Sequence, residues 1–329
     1  MIKEVTNKTE WDEFVANHGG HPLQLWGWGE LKSLHNWQVH RVMVEQGSVI
    51  GGAQILTRPV PGVGKTIAYI PRGPVVIDNM DALLTELADY ARTSLKAMVV
   101  TIEPYIEQSG QVKFPKGWRH SSNHILLSHT LLLDLTKTEE ELLADIPRKR
   151  RYDIRKSTES IHTIREATTP EDIDKCLALY HHTAERAGFK LHGDQYYRDI
   201  AAELGSASRL IAVWNEAGEP IAMTWLAVTP AVAFELYGGI NEEGASLRAN
   251  FALKWHCITE MKREGVREYD FNGLLNDGIS TFKRNFASHE NELVGTWDYP
   301  LSPLYYLWEK ALPLAKWTAR TLGKIRGTS

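Results

Sequence analysis

Cysteine is scarce in this sequence, and long apolar runs are missing. Its 329 residues include two cysteines, Cys176 and Cys257, and no Cys-x-x-Cys pair, so neither a disulfide framework nor a thiolate zinc site is indicated. No stretch of about 18 uncharged apolar residues could form a membrane-spanning helix, and the N-terminal segment is too acidic for a secretory signal. We therefore expect a soluble protein of the reducing cytoplasm.

Charge of one sign is not in excess, and the common catalytic motifs are absent. There are 37 Lys+Arg and 41 Asp+Glu, for a net charge of -4, which gives no overall basic field for nucleic acid. The segment PGVGKT has Pro59 where a Walker A loop needs glycine, and neither GxSxG nor HExxH occurs. The clustered histidines lack Cys or Asp at ligand spacing, so we expect neither a metal nor a cofactor.

An internal duplication is the most informative feature present. Each half contains helical segments followed by a hairpin, a third strand, a helix and a last strand. The first copy spans residues 37–104, with its hairpin turn at Gln46-Gly47, and the second spans 208–273, with its turn at Ala217-Gly218. Tyr69 and Glu103 lie 34 positions apart in the first copy, and Tyr237 and Asp270 lie 33 apart in the second, so we expect each pair to be equivalent. The pattern predicts an α+β fold of two tandem lobes, each a mixed sheet flanked by helices.

The two lobes are expected to join near residues 142–157. We assign residues 1–145 and 298–329 to the first lobe and 146–297 to the second. The C-terminal segment has an apolar stripe containing Tyr305, Tyr306, Trp308 and Trp317, and we expect it to pack as a helix on the first lobe. Alternatively, this segment contacts a membrane surface through its aromatic and basic residues, which are Trp308, Lys316, Trp317, Arg320 and Lys324.

A compact basic strip lies at residues 147–156, PRKRRYDIRK. Six cations against Asp153 leave a local charge of +5 in an otherwise slightly acidic chain. Such a strip suits an RNA backbone, although a solvated helix face is the ordinary alternative. The candidate RNA-binding residues are Arg148, Lys149, Arg150, Arg151, Arg155 and Lys156.

Lys283 is the candidate for charge stabilisation. It lies in a predicted loop between Phe282 and Phe286, where it is either a rim residue or a group that stabilises an oxyanion or a phosphate in a cleft. The order of elements resembles that of CoA-dependent N-acetyltransferases, whose Gly-rich turn binds pyrophosphate. Only residues 241–245 resemble that turn, and their Glu242 and Glu243 would repel the ligand.

Several segments together resemble the FemABX family of aminoacyl-tRNA-dependent peptidyltransferases, which build the interpeptide bridges of peptidoglycan. The resemblance spans nearly the whole chain and rests on the order and spacing of these segments. They are LWGWGELKSLHNW, PRKRRYDIRKS, YHHTAERAGF, LYGGI with the following ANFALKWHCITEMKREGVREYDFNG, and ISTFKRNF.

The resemblance implies two acetyltransferase-like lobes, no CoA, and transfer of an amino acid from charged tRNA to an amine of the stem peptide. It implies that Lys32 and Arg186 contact the diphosphate and sugar of the precursor, and that Tyr237 contacts phosphate. Lys283, with Phe282 beside it, matches the lysine near the transfer site, whereas Glu103 stands where the family often has Asp.

The stretch from Thr183 to Tyr237 leaves no room for the helical-hairpin arm of some family members. The chain therefore resembles the armless type, which acts on UDP-MurNAc-pentapeptide, with a lipid-linked precursor as the alternative acceptor. We expect a cytoplasmic monomer, with peripheral contact at the inner face of the membrane left open.

An aminoacyl ester is already activated, so its aminolysis needs orientation and oxyanion stabilisation more than a nucleophilic side chain. We expect Lys283 to stabilise charge and consider Glu103 as the base that removes the amine proton. Two other functions stay open at this point: a CoA-dependent N-acyltransferase, and a non-catalytic RNA-binding module based on the basic strip.

Overall fold

The structure, a computed structural model, describes residues 1–108, 112–161, 163–275 and 277–311. The elements of the first half, in chain order, are β1 (Ile2–Glu4), α1 (Lys8–Asn17), α2 (Trp26–Leu34), β2 (Gln38–Gln46), β3 (Ser48–Val60), β4 (Lys65–Ile70), β5 (Val75–Val76), α3 (Met80–Thr93) and β6 (Ala97–Ile102). Those of the middle segment are β7 (Arg119–His120), β8 (His129–Thr130), β9 (Leu132–Asp134), α4 (Glu139–Asp145) and α5 (Arg148–Ser160). Those of the second half are β10 (Ile164–Glu166), α6 (Pro170–Ala187), α7 (Asp194–Leu204), β11 (Ser208–Trp214), β12 (Pro220–Val228), β13 (Val232–Ile240), α8 (Glu242–Ser246), α9 (Ala249–Arg263), β14 (Glu268–Asp270), α10 (Gly278–Lys283), β15 (Asn291–Glu292) and β16 (Trp297–Pro300).

The predicted duplication is confirmed by the strand order. The first sheet runs β1-β2-β3-β4-β6-β16-β7 with β5 beside β3, and the second runs β10-β11-β12-β13-β14-β9. In each, three antiparallel pairs are followed by one parallel pair, β4 with β6 and β13 with β14, joined by a crossover helix. The predicted hairpin turns both contain a glycine with positive φ, Gly47 at +80° and Gly218 at +74°. Such a φ costs glycine little, which explains these tight turns.

The parallel pairs are stabilised by the apolar faces of their crossover helices. On α3, buried Leu83, Leu84, Leu87 and Ala91 repeat at three-and-four spacing and pack on the first sheet. Helix α9 packs in the same way on the second sheet, with Ala249, Leu253, Cys257 and Ile258 buried. Each buried leucine contributes roughly 1.5–3 kcal/mol of transfer free energy.

The assignment of residues to lobes differs from the expected one in the middle segment. Strand β9 pairs with β14, and Leu133 and Leu142 lie in the core of the second sheet, although residues 129–145 were expected in the first lobe. Strand β16 pairs with β6 in the first sheet, as expected for residues from 298 onward, although Trp297, opposite Ile102, was expected in the second lobe. Strand β9 has three residues and therefore no periodicity that could show its place in the second sheet.

The two lobes are in contact through a shared hydrophobic core. Leu23, Trp28 and Leu31 of the first half pack with buried residues of α6, α7 and β12, including Trp225. A Cβ on Gly27 would lie 2.1 Å from the backbone oxygen of Glu203, so the close approach of α2 to α7 requires glycine there.

The C-terminal segment packs on the first lobe as far as the structure describes it. Residues 304–311 are helical, and buried Tyr305 contacts Met98 and Val99 on the outer face of β6. The Tyr305 hydroxyl donates to Asp298 (2.9 Å), and Arg119 pairs with Glu309 (2.8 Å). Trp308 packs against this cluster, whereas Lys316, Trp317, Arg320 and Lys324 lie outside the described residues. No helix in the described part of the chain is both long and apolar enough to span a membrane.

Candidate active site

A cavity of about 660 Å³ opens in the second lobe between the end of β13, the C-terminal end of α6, the start of α9, and α10. Four of the predicted site residues line it, namely Arg186, Tyr237, Phe282 and Lys283. It also contains two charged residues that the sequence did not single out, Glu235 and Lys254.

Lys283 is held at the cavity wall by backbone carbonyls. It is the last residue of α10, whose start is capped by Asp277, so the predicted loop is a helix. Its ammonium group donates to the carbonyl oxygens of Phe271 and Asn272, with the oxygen of Gly273 at 3.5 Å. Burial lowers the pKa of Lys283, while the charge of Glu235 acts in the opposite direction. The group is therefore a fixed, partly desolvated cation beside the cavity.

Phe282 packs α10 against α9, which also lines the cavity. Its ring packs edge-on against Phe251 of α9 at 5.1 Å and against Phe286 at 5.4 Å. Both neighbours are buried in the core of the second lobe. The position of Lys283 is thereby coupled to that core.

A buried ion pair joins β13 to α9 in the wall of the cavity. The Lys254 ammonium donates to Glu235 Oε1 and to Thr224 Oγ1 (3.2 Å), and the Tyr269 hydroxyl donates to the same carboxylate at 2.8 Å. Buried charges are stable when they are paired and hydrogen-bonded in this way. A glutamate in the apolar strand AVAFELYGG and a lysine on the apolar face of α9 are the sequence features that could have revealed the pair.

Arg186 and Tyr237 lie at the mouth of the cavity. Arg186 is exposed in the last turn of α6 and donates to the carbonyl oxygen of Ile240 at 3.0 Å. Tyr237 is half-buried against Tyr180 and Tyr197, and burial holds its pKa well above the ordinary tyrosine value. Both can present donors to an anionic ligand at the opening.

Lys32 is outside the cavity, where α2 meets α7. Its ammonium donates to the Tyr196 hydroxyl at 2.7 Å and lies 4.4 Å from the centre of the Trp28 ring. Burial, with a smaller effect of the Arg58 charge, lowers the pKa of Lys32 to about 8. Tyr196 packs on Tyr197, which packs on Tyr237, so an aromatic path links Lys32 to the cavity mouth.

Glu103 has a different environment from the one expected of a general base. It is buried in the first lobe and is not among the residues that line the cavity. Its carboxylate accepts bonds from the Tyr69 hydroxyl, the Thr296 hydroxyl, and the backbone N–H groups of Ile125 and Leu126. With four donors already bound, the geometry favours a role in joining segments of the first lobe.

The two tyrosine and acid pairs are not equivalent in their contacts, because the tyrosine binds the acid in the first lobe but not in the second. Tyr69 binds Glu103, whereas Tyr237 lies opposite Trp225 and Asp270 lies opposite Phe234. In the second lobe the corresponding bond joins Tyr269 to Glu235, with the acid and the tyrosine exchanged between the strands.

The basic strip forms helix α5 on the outer side of the second lobe. Arg150 pairs with the buried Asp153 at 2.9 Å, and Arg248 binds the other oxygen of that carboxylate at 2.8 Å. Arg155 and Lys156 share Glu159. Within the described ranges, Arg148, Lys149 and Arg151 have no acidic partner within 4.0 Å, so they are available to an external anion.

Both cysteines are buried, and burial raises the pKa of each thiol to about 12. Neither is therefore a reactive thiolate at neutral pH.

Comparison with known proteins identifies the fold and the families to which this chain is similar. The family model for the acetyltransferase (GNAT) domain matches residues 148–284, and that for the FemAB family matches residues 6–113. The lipid II:glycine glycyltransferase of Staphylococcus aureus (strain USA300) is 25% identical over 403 aligned positions, which cover 94% of this chain and 95% of that protein. A crystal structure of FemX has a TM-score of 0.83 at 23% identity and covers 94% of this chain and 100% of that one. A tandem GNAT protein from the clavulanic acid biosynthesis pathway has a TM-score of 0.50 at 15% identity, with 92% and 99% covered.

The fold and the cavity therefore define a tandem acetyltransferase-like transferase. Within that class, the chain is similar to the FemAB family over residues 6–113 and, over 94% of its length, to the staphylococcal transferase. Its alignment with the staphylococcal relative spans 403 positions, whereas 94% of 329 residues is about 309, so the relative has roughly 94 positions without a counterpart here. Between Thr183 and Tyr237 the structure forms α7, β11 and β12, with no long helical hairpin in this fully described stretch. The predicted armless type agrees with both observations.

Proposed function

We propose that this protein transfers an amino acid from charged tRNA to an amine of the stem peptide of a peptidoglycan precursor, forming an interpeptide bridge. The observation that carries this proposal is the fixed ammonium group of Lys283 at the wall of a cavity in a FemAB-family fold. We further propose that the protein works in the cytoplasm at the inner face of the membrane, since the staphylococcal relative is named a lipid II:glycine glycyltransferase.

The reaction joins the acceptor nitrogen to the ester carbonyl carbon and breaks the bond from that carbon to the ribose oxygen of tRNA. The proton lost by the amine ends on this ribose oxygen. Lys283 would stabilise the tetrahedral oxyanion. Its ammonium group is already held in place and is partly shielded from water, so it does not have to reorient when negative charge develops on the substrate. Its lowered pKa also makes it a better proton donor to the leaving oxygen.

The acceptor is proposed to approach from the side of Lys32, Arg186 and Tyr237. Lys32 and Tyr237 are linked by an aromatic path, and Arg186 lines the same cavity as Tyr237. Together they offer two cations and a hydroxyl, which suits a diphosphate linked to a sugar. A UDP-linked and a lipid-linked precursor share this chemistry. The staphylococcal relative favours the lipid-linked form, in which case the protein would contact the membrane at its periphery.

The tRNA is proposed to bind the basic strip on α5. Arg148, Lys149 and Arg151 supply charges for phosphates, and Arg150 connects the strip to the site because its guanidinium lies 5.9 Å from the Phe251 ring, which packs on Phe282.

A CoA-dependent acyltransferase is less well supported. The turn that would bind the pyrophosphate begins α8 with Glu242 and Glu243, and the Asn241 side chain already accepts the Gly244 N–H at 2.8 Å. Negative charge and a donor already in use both oppose a phosphate there.

The reaction can be identified by mass spectrometry. Purified protein is incubated with UDP-linked or lipid-linked muramyl pentapeptide and a pool of charged tRNAs, with RNase-treated and acyl-CoA samples alongside. We expect a mass increase of one amino-acid residue that disappears after RNase treatment. An acyl adduct in the CoA sample alone would overturn the proposal.

A further inference from the structure

A groove of about 770 Å³ runs along the outer face of α5 and is separate from the cavity. Its lining combines cations with aromatic rings, including Arg148, Arg151, Tyr152, Arg155 and Trp255. Tyr152 is 51% exposed, and the Arg155 guanidinium lies 5.7 Å from its ring. The lining residues include three arginines and one acid, Glu159, so the net charge of the groove is positive.

We infer that this groove binds the unpaired 3′ strand of the donor RNA, with Tyr152 and Trp255 stacking on its bases and the arginines binding its phosphates. The inference rests on the proposed function and adds base stacking to it. Phosphate binding alone needs no aromatic surface, whereas sites for single-stranded nucleic acid combine a basic groove with aromatic platforms. The recessed position of Trp255, half-buried in the groove, suits an inserted base better than a flat membrane.

The position of the groove relative to the cavity supports this occupant. Lys254 and Trp255 are consecutive on α9, but Lys254 lines the cavity and Trp255 lines the groove. The two concavities are thus separated by a single helix near its first turns. Passing around α9 is therefore the route that we infer for the 3′ end of a strand that stacks in the groove.

Binding of two labelled RNA hairpins tests the inference by fluorescence anisotropy. One hairpin ends in a single-stranded 3′ tail and the other is blunt. We expect Tyr152→Leu and Trp255→Leu to weaken binding of the tailed hairpin at least about fivefold each and to leave the blunt hairpin unchanged. Tyr152→Phe and Trp255→Phe keep an aromatic face and should retain most of the affinity.

Matched controls separate stacking from charge and from misfolding. Tyr306→Leu removes an exposed tyrosine that also lies beside an arginine, Arg119 at 5.5 Å, and should bind both hairpins normally. Charge reversal at Arg148 and Arg151 should weaken both hairpins and reduce the salt dependence of binding. Thermal melting of Trp255→Leu checks that the variant is folded.

Equal weakening of both hairpins by the leucine variants, or no weakening, would overturn the stacking inference. So would leucine variants that lose binding to phosphatidylglycerol vesicles while binding tailed RNA normally. Failure of the proposed function is a separate result, because it would appear as wild-type protein that makes no product from charged tRNA in the mass-spectrometric assay.

Discussion

At the scale of single residues, the cavity is distinguished by the buried or partly buried charged side chains of Glu235, Lys254 and Lys283. Lys283, Phe282, Arg186 and Tyr237 could be located from the sequence because family resemblance supplied their positions, and the fold brings all four to one cavity. The role of Glu103 could not be judged from sequence, because its donors come from segments up to 193 residues away. Which side chain finds a partner depends on tertiary contacts that a linear pattern does not contain.

Lys32 predicts a pH dependence of precursor binding. Because the pKa of Lys32 is lowered to about 8, its ammonium form is present below that pH and is lost above it. We expect the affinity for the UDP-linked precursor to fall severalfold between pH 7 and pH 9. Isothermal titration calorimetry at several pH values measures this. Lys32→Arg keeps its charge and should remove most of the dependence, and an unchanged pH profile in this variant would exclude Lys32 as its source.

At the scale of elements, the ion pair between Glu235 on β13 and Lys254 on α9 fixes one wall of the cavity. The hairpins, crossover helices and parallel pairs were predictable, because amphipathic repeats and glycine turns are local signals. Short strands such as β9 and β16 were not, since their pairing is decided by the partner strands. Helix α10 was expected as a loop because six residues with one cap give a weak helical pattern.

Removing one partner of this pair should be more harmful than removing both. Lys254→Met leaves an uncompensated carboxylate, and Glu235→Leu leaves an uncompensated ammonium, so each should lower the free energy of unfolding by about 3–5 kcal/mol. The double variant should lose clearly less than the sum, as measured by urea denaturation. Additive losses would mean that the two side chains are not energetically coupled.

At the scale of the whole molecule, the lobes are joined by a shared core and by polar contacts such as the bond from the Tyr105 hydroxyl to Glu268 on β14. Burial raises the pKa of Glu268 to about 7, with a further contribution from Asp270. The number of lobes and their duplication were predictable from length and repeat spacing. The place of β9 in the second sheet was not, and together with the return of β16 to the first sheet it helps to explain why the lobes form one unit.

The raised pKa of Glu268 predicts how stability changes with pH. Between about pH 4.5 and 7 the folded state holds a proton that the unfolded state has lost, so this group makes stability fall as pH rises. Glu268→Gln removes the titration and should raise the melting temperature by a few degrees at pH 8 but not at pH 4.5. Calorimetry at both values tests this, and an equal shift at both would point to a cause other than the proton.

The central claim is that Lys283 acts in the transfer step, and single-turnover transfer from charged tRNA tests it most directly. Lys283→Ala should slow transfer about a hundredfold or more while tRNA affinity stays within about twofold. Arg284→Ala is the matched control, since the neighbouring Arg284 pairs with Glu290 at 2.6 Å and does not line the cavity, and it should transfer normally. An unchanged rate in folded Lys283→Ala, or a loss that weaker tRNA binding fully accounts for, would contradict the claim.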